Sequence, residues 1–572
     1  MFTRKSRFVA LLILCVLLVQ MLASCSLEVG PRPDPQPLDR DPYAKLDKYS
    51  YKIGNKSLVY NYSPDEEKAL LSNIDRANRL LENGNAPDTF INLYMEIDEQ
   101  YSRLMSQAQI AYIEYCMMET NQEVKDNYLH VNELRTAVLQ DLIVMYRTIY
   151  DSPYRDVFYE GWTEEEIRQA LDEADLFTDE FAALNNKSDE LLVAYRELDP
   201  SIPANKAKIR ELYLEFANVQ NDIAVQLGYS NYMEYAYSSV YSRDYTYEQA
   251  GDMANLVFNE LLPYVERTYN KFQFDMNYLY ENKPDVYNEF LVLYQYQNIG
   301  SAGGQDILKG YCEALGEEPA RIWNELMDGG NYFIVSASTA YDGAFSSYIY
   351  DINEPMVYFG PNYRSLSTAV HEFGHYMAFI RGREGARNYD LAETHSQGNE
   401  MLFSEYLYQD YSKEAIDFLI TYNTLNSFIT LVSACAVNQF ETYVYTHLDS
   451  IEADDLDGIY QDVLATIPSF DFLDSLTGGG LQDYWYYVTL ESPGYYISYA
   501  ISLVASLELL AVAHEDFEQA KEIYLDLGAA DTPEFCAELE EAGLYTPFDA
   551  RTYDMITAMF EELLVPISVP KD

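Results

Sequence analysis

Five consecutive residues, His371-Glu372-Phe373-Gly374-His375, carry the spacing of a metal site. On an α-helix, residues four apart stand one above the other on the same face, so two imidazoles can reach one ion while the carboxylate between them flanks it. The chemistry of such a group is hydrolysis: one zinc ion acts as Lewis acid, and Glu372 is the general base on the attacking water. With 6 histidines in 572 residues, chance would produce a His-Glu-x-x-His match about once in 200 chains of this composition, so accident is the poorer explanation. A catalytic zinc takes three protein ligands and keeps a fourth position open. The stretch Glu393-Thr394-His395-Ser396-Gln397-Gly398-Asn399-Glu400 offers Glu393, His395 and Glu400 as the third, and the residues alone leave that choice open.

These side chains need helices to hold them. Leu366, Ala369, Val370, Phe373, Met377 and Ile380 form an apolar stripe at helical spacing, and Gly382 is placed to stop the run. Met401, Leu402 and Phe403 extend the second stretch as a further helix. Upstream, Ser63-Pro64-Asp65-Glu66 reads as an N-cap, a proline at the first helical position and a capping-box glutamate. Leu70, Leu71, Ile74, Ala77, Leu80 and Leu81 follow on one stripe, and Asn83-Gly84-Asn85 ends it. Thr163 with Glu166, and Thr246 with Gln249, predict two more capping boxes, and most of 45–325 reads as helices. From Gly329-Gly330 the texture changes. Short runs rich in aromatic and β-branched residues at 332–335, 345–350 and 356–359 predict a small sheet. The fold class is mainly α with one minor β element.

The two candidate segments, with the strands before them, resemble the thimet oligopeptidase and oligoendopeptidase F family of zinc metallopeptidases. Further matches are 227–232 with Arg243-Asp244-Tyr245-Thr246, the strands through Gly343-Ala344-Phe345, and Ser492-Pro493-Gly494-Tyr495-Tyr496-Ile497-Ser498-Tyr499, so the likeness spans roughly 210–510. The resemblance implies a large bilobed helical enzyme enclosing a deep channel, with the sheet beside the zinc helix and short oligopeptides as substrates. It implies Glu400 as third ligand, 400 − 375 = 25 positions past His375, and Glu393 as an acid behind the ligands. His395 is then a pocket neighbour or an interior histidine. Tyr496 and Tyr499 are implied as hydrogen-bond donors to the scissile carbonyl, and the strand at 343–345 as the partner of an extended peptide. One departure stands out: family members commonly place a substrate-binding histidine ahead of the tyrosine segment, but 483–491 holds none and the corresponding position is Val488. Such a donor typically contributes about 2.7 to 4 kcal/mol. Two alternatives stay in view: a zinc carboxypeptidase, which could carry the same helix motif, and a catalytically weak peptide-binding lipoprotein, which the missing histidine favours.

Composition and the first residues set the location. The chain is 48% hydrophobic and 15% aromatic, enough for a packed core. Its 93 acidic against 37 basic residues leave a net charge of −56, a field that repels phosphate backbones, so nucleic acid is not an expected partner. Arg4, Lys5 and Arg7 precede an apolar run over 8–21 and Leu22-Ala23-Ser24-Cys25. That is a secretory layout too short for a bilayer span of about 20 residues. Its end resembles the bacterial lipoprotein signal, implying lipidation at Cys25. Prolines at 31, 33, 35, 37 and 42 then predict an extended tether. The expected organisation is a signal peptide (1–24), a lipidated tether (25–45), an N-terminal helical region (46–240) and a catalytic region (241–572). The enzyme would sit outside the cytoplasm, meeting the bacterial membrane only through its lipid. Cys116, Cys312, Cys435 and Cys536 form no Cys-x-x-Cys pair and read as buried thiols, with long-range disulfides left open. His130, His447 and His514 fall outside every motif.

Overall fold

The computed structural model describes residues 52–53, 56–83, 87–118, 120–155, 179–196, 198–337, 340–349, 352–381, 388–527 and 534–568. Cys25 and its tether, the Thr163 and Glu166 pair, and Gly382 lie outside the described residues. Among the described residues the chain forms two compact units, each discontinuous in sequence: one joins those from Lys52 to Asn186 with those of Glu325–Pro361, the other joins those of Lys187–Asn324 with those after Pro361. The sequence pattern offers a boundary at 240 inside the region from 46 to 572. Periodicity registers local elements, and it carries no mark of a segment that leaves one unit to complete another.

In the first unit, helices α1 (Pro64–Asn83), α2 (Pro87–Met117) and α3 (Gln122–Tyr150) pack on one another. The start of α1 is the expected capping box: the Ser63 amide donates to Glu66 Oε2 at 2.8 Å, and the Glu66 amide donates to Ser63 Oγ at 3.3 Å. The predicted stripe faces inward, with Leu70, Ile74, Ala77 and Leu81 buried among Phe90, Ile97, Val131 and Val138. The same unit holds a three-stranded sheet of β1 (Tyr332–Ile334), β2 (Ala344–Ile349) and β3 (Glu354–Phe359). The central strand is β3, parallel to β1 with Phe333 opposite Tyr358 and antiparallel to β2 with Phe345 opposite Tyr358. Flanked on both sides, β3 buries every residue after Glu354, whereas the edge strand β2 alternates.

The described residues of the second unit form helices and no β-strand, with one isolated β-bridge between Asn298 and Ser365. Its principal helices near the motifs are α4 (Leu366–Arg381), α5 (Tyr389–Tyr406), α6 (Lys413–His447) and α7 (Ile497–Glu515). Two stretches, Lys413–Ser450 and Ile497–Glu515, are long and apolar enough to cross a membrane, yet 67% and 83% of their apolar windows are buried inside the protein, as suits core helices. Helix α7 packs against both α5 and α6. The capping box at Thr246 and Gln249 is formed with both of its arms. Cys116, Cys312, Cys435 and Cys536 are free thiols, the first three buried.

Candidate metal centre

Helices α4 and α5 form an antiparallel pair, and the site lies on the faces they share. Ser365 caps α4 by accepting the Thr368 amide at 3.0 Å, and Asn388 caps α5 by accepting the amides of Asp390 and Leu391 at 3.0 and 3.2 Å. Three contacts fix their register. Glycine at 374 allows the closest approach, since a Cβ there would stand 2.7 Å from the His395 carbonyl oxygen. One turn back, the Asn399 amide donates to the Val370 carbonyl at 2.7 Å, while its Oδ1 accepts the Tyr311 hydroxyl at 2.6 Å. One turn further, the Ser367 hydroxyl donates to Glu400 Oε2. As the number falls along α4 it rises along α5, so His375 lies towards the Glu393 end and His371 between the two glutamates.

That geometry decides which acid meets the histidine pair. Potential ligand atoms of His371, His375 and Glu393 all lie within 4.8 Å of one another. Glu393 Oε2 stands 3.6 Å from His371 Nε2, while Glu400 Oε1 is hydrogen-bonded at 2.9 Å to the opposite ring nitrogen, Nδ1. The structure therefore exchanges the places expected for the two glutamates: Glu393 converges with the imidazoles and Glu400 stands behind His371. The physical reason is the helix pair itself. Glu393 and Glu400 are 400 − 393 = 7 positions apart on α5, hence on one face but about 10 Å apart along the axis, and only the earlier one lies towards His375. A count of residues from His375 does not contain that information.

The electrostatics follow from burial and acid density. Burial opposes a charged His371 imidazole, but the hydrogen bond and charge of Glu400, with Glu393 and Glu372, outweigh it and raise its pKa to about 9. Burial, followed by the neighbouring His371 and His395, pushes His375 the other way. Glu393 is raised by burial against the pull of His371, Tyr495 and Ser396. The centre is thus a partly exposed cluster in which three carboxylates surround two imidazoles, a field that favours a bound cation. The donor set of two imidazole nitrogens and one carboxylate oxygen suits zinc and leaves a position free. Were His371 to ligate a metal through Nε2, the Glu400 contact on Nδ1 would serve as its outer support, holding the ring proton there.

The tyrosine segment approaches from the start of α7. Tyr495 lies nearest the cluster: its buried hydroxyl donates to Glu393 Oε1 at 2.7 Å. Tyr496, one of the two expected donors, pairs its hydroxyl with that of Tyr484. Tyr499, the other, packs its ring 5.4 Å from Tyr495 and 5.2 Å from Tyr496. The sequence reading chose residues three apart on a helical face. The helix begins at Ile497, so Tyr495 precedes it and is aimed by the Pro493-Gly494 bend, where Gly494 adopts φ +74°. Its position in the same Pro-Gly-Tyr-Tyr run was the signal available. The ring of His395 packs near Tyr524 with a centroid separation of 6.2 Å, as an interior histidine. His130 meets Glu67, His514 meets Glu405, and His447 stacks on Tyr443, all outside the cluster.

Solved structures share this architecture. A Bacillus anthracis chain assigned as oligoendopeptidase F superposes with a TM-score of 0.67 at 17% identity, covering 91% of this chain and 99% of its own. PZ peptidase A, solved with an inhibitor, gives 0.66 at 16% identity over 88% and 98%. The chain has their fold. The oligoendopeptidase-F of Enterococcus faecium matches less closely, with a TM-score of 0.51 at 15% identity over 87% of this chain and 97% of that one. No family model and no curated protein matches the sequence. On the oligoendopeptidase fold, the large helical body and small sheet expected from the sequence are both present.

Proposed function

We propose that the protein is a zinc-dependent oligopeptidase of the oligoendopeptidase F type, held outside the cytoplasm by a lipid on Cys25. The observation that carries this reading is the convergence of His371, His375 and Glu393 on one point, next to Glu372. His371, His375 and Glu393 would hold one zinc ion. When bound, zinc polarises the scissile carbonyl and makes water acidic enough to lose its proton near neutral pH. Glu372, buried on α4 between the two histidines, accepts that proton and returns it to the departing amine, so one carboxylate serves as base and then acid. Glu400 keeps the proton of His371 on Nδ1. Tyr495 occupies Glu393 Oε1 and leaves Oε2 turned to His371. Tyr499, with Tyr496, donates to the carbonyl oxygen as negative charge gathers there, a role for which 483–491 supplies no histidine.

The deciding experiment is Glu372→Gln. The variant is expected to keep one zinc per chain and to cleave a quenched peptide library at least about 10²-fold more slowly than wild type. Undiminished cleavage would refute the assignment of Glu372. Tight peptide binding with no products from the wild type would point instead to a peptide-capturing protein, and products shortened by single C-terminal residues to a carboxypeptidase.

A further inference from the structure

Arg243 is sealed inside the second unit. Its side chain is 0% exposed, as is that of Asp390, whose Oδ2 lies 3.7 Å from the arginine Nε. Burying such a pair costs several kcal/mol per ion unless the surroundings return it, and the partners of this guanidinium are specific. Nη1 donates to the Gly494 carbonyl at 2.9 Å, and Nη2 donates to Ser498 Oγ at 2.8 Å and to the Tyr495 carbonyl at 3.3 Å. Its plane lies over the rings of Tyr237 and Tyr241, 4.3 and 4.6 Å from their centroids. The Tyr241 hydroxyl in turn donates to the Pro493 carbonyl at 2.8 Å. Asp390 accepts the Tyr245 hydroxyl at 2.6 Å and stands one turn before Glu393 on α5.

These contacts close a ring. The guanidinium grips the backbone that carries Tyr495, Tyr495 donates to Glu393, Glu393 shares α5 with Asp390, and Asp390 faces the guanidinium. A planar fork presents its donors at fixed, well-separated directions to two carbonyls and a hydroxyl, whereas the three donors of an ammonium group crowd on one atom at the end of a flexible stem. We propose that Arg243 is a positioning residue for the hydrolytic site, setting Tyr495 against Glu393 and Tyr499 beside it. The inference rests on reading the cluster as a zinc peptidase site. Arg243 touches neither substrate nor ligand; it acts through Tyr495.

The test is a double-mutant cycle on the full chain between Arg243→Lys and Tyr495→Phe, read both as zinc affinity by chelator competition and as peptide cleavage. Each single variant is expected to lower kcat about tenfold while moving KM by less than about threefold, and to weaken zinc binding by similar factors. The double variant is expected to be no worse than the poorer single, because both remove one linkage. Wild-type zinc affinity and kcat in Arg243→Lys, or losses that multiply in the double variant, would overturn the proposal. Should Arg243→Lys not fold, Ser498→Ala removes one arm of the fork: a loss of about threefold in kcat that vanishes in the Tyr495→Phe background supports the proposal, and an additive loss overturns it. If the wild type binds zinc but cleaves no peptide, the peptidase reading fails while the zinc-affinity cycle still decides the role of Arg243.

Discussion

At the scale of single residues, the two glutamates of α5 separate by which face of one imidazole they meet. Glu393 is on the Nε2 side with His375, and Glu400 is on the Nδ1 side with Ser367. Their substitutions should therefore differ in kind. Glu393→Gln is expected to abolish stoichiometric zinc binding. Glu400→Gln should weaken affinity about 10- to 100-fold and remain loadable at high zinc, as for outer supports of ligating histidines. Titration of both variants with a competing chelator measures this, and equal affinities would contradict the assignment. The histidine pair and Glu372 were legible in the sequence because a helix converts spacing directly into a shared face. The acid that joins them was not, because it sits on another helix whose direction relative to the first is set by packing.

At the scale of elements, the site depends on how closely α4 and α5 approach. Gly374 is the contact point, and a methyl there would meet backbone at 2.7 Å, which no side-chain rotation relieves. Gly374→Ala is accordingly expected to cost about 1 to 3 kcal/mol of stability, with weaker zinc binding as His375 and Glu393 separate. Thermal unfolding with and without zinc checks both effects. A second element-level feature lies under the Pro493-Gly494 bend. Glu441 on α6 is buried and accepts the Gly494 amide at 3.0 Å through Oε1, while Oε2 has no partner among the described residues. Burial, only partly offset by that amide and Arg243, lifts its pKa from 4.5 to about 8. The folded state therefore holds this proton more tightly than the unfolded chain, so the contribution is complete below pH 4.5 and is lost as pH rises through about 8. Glu441→Gln mimics the protonated acid. Its melting temperature relative to wild type is expected to rise from pH 5 to about pH 8 and then level off, and a constant offset would contradict the shift.

At the scale of the whole molecule, the predicted capping boxes at Ser63 and Thr246, the stripe from Leu70 to Leu81 and the three strands all appear where the residue pattern put them. Each depends only on neighbours within a few positions. The net charge of −56 makes a bare surface interaction with anionic lipid unfavourable, so attachment to a membrane would depend on the lipid proposed on Cys25. Cys25→Ser is expected to move the protein from the membrane fraction to the soluble fraction and to remove labelling by a fatty-acid analogue. An unchanged distribution would argue against the lipid. By itself, the sequence determined the helical class, the small sheet, the His371-Glu372-His375 motif and the absence of a histidine over 483–491, since periods of 3.6 and 2 and the spacing of ligand types are local properties of a chain. Only the tertiary structure decided that Glu393 joins the histidines, that Tyr495 reaches it, that 325–361 belongs to the first unit, and that Arg243 binds the tyrosine bend to α5. Each of those is a meeting of segments distant along the chain, fixed by which faces are buried together.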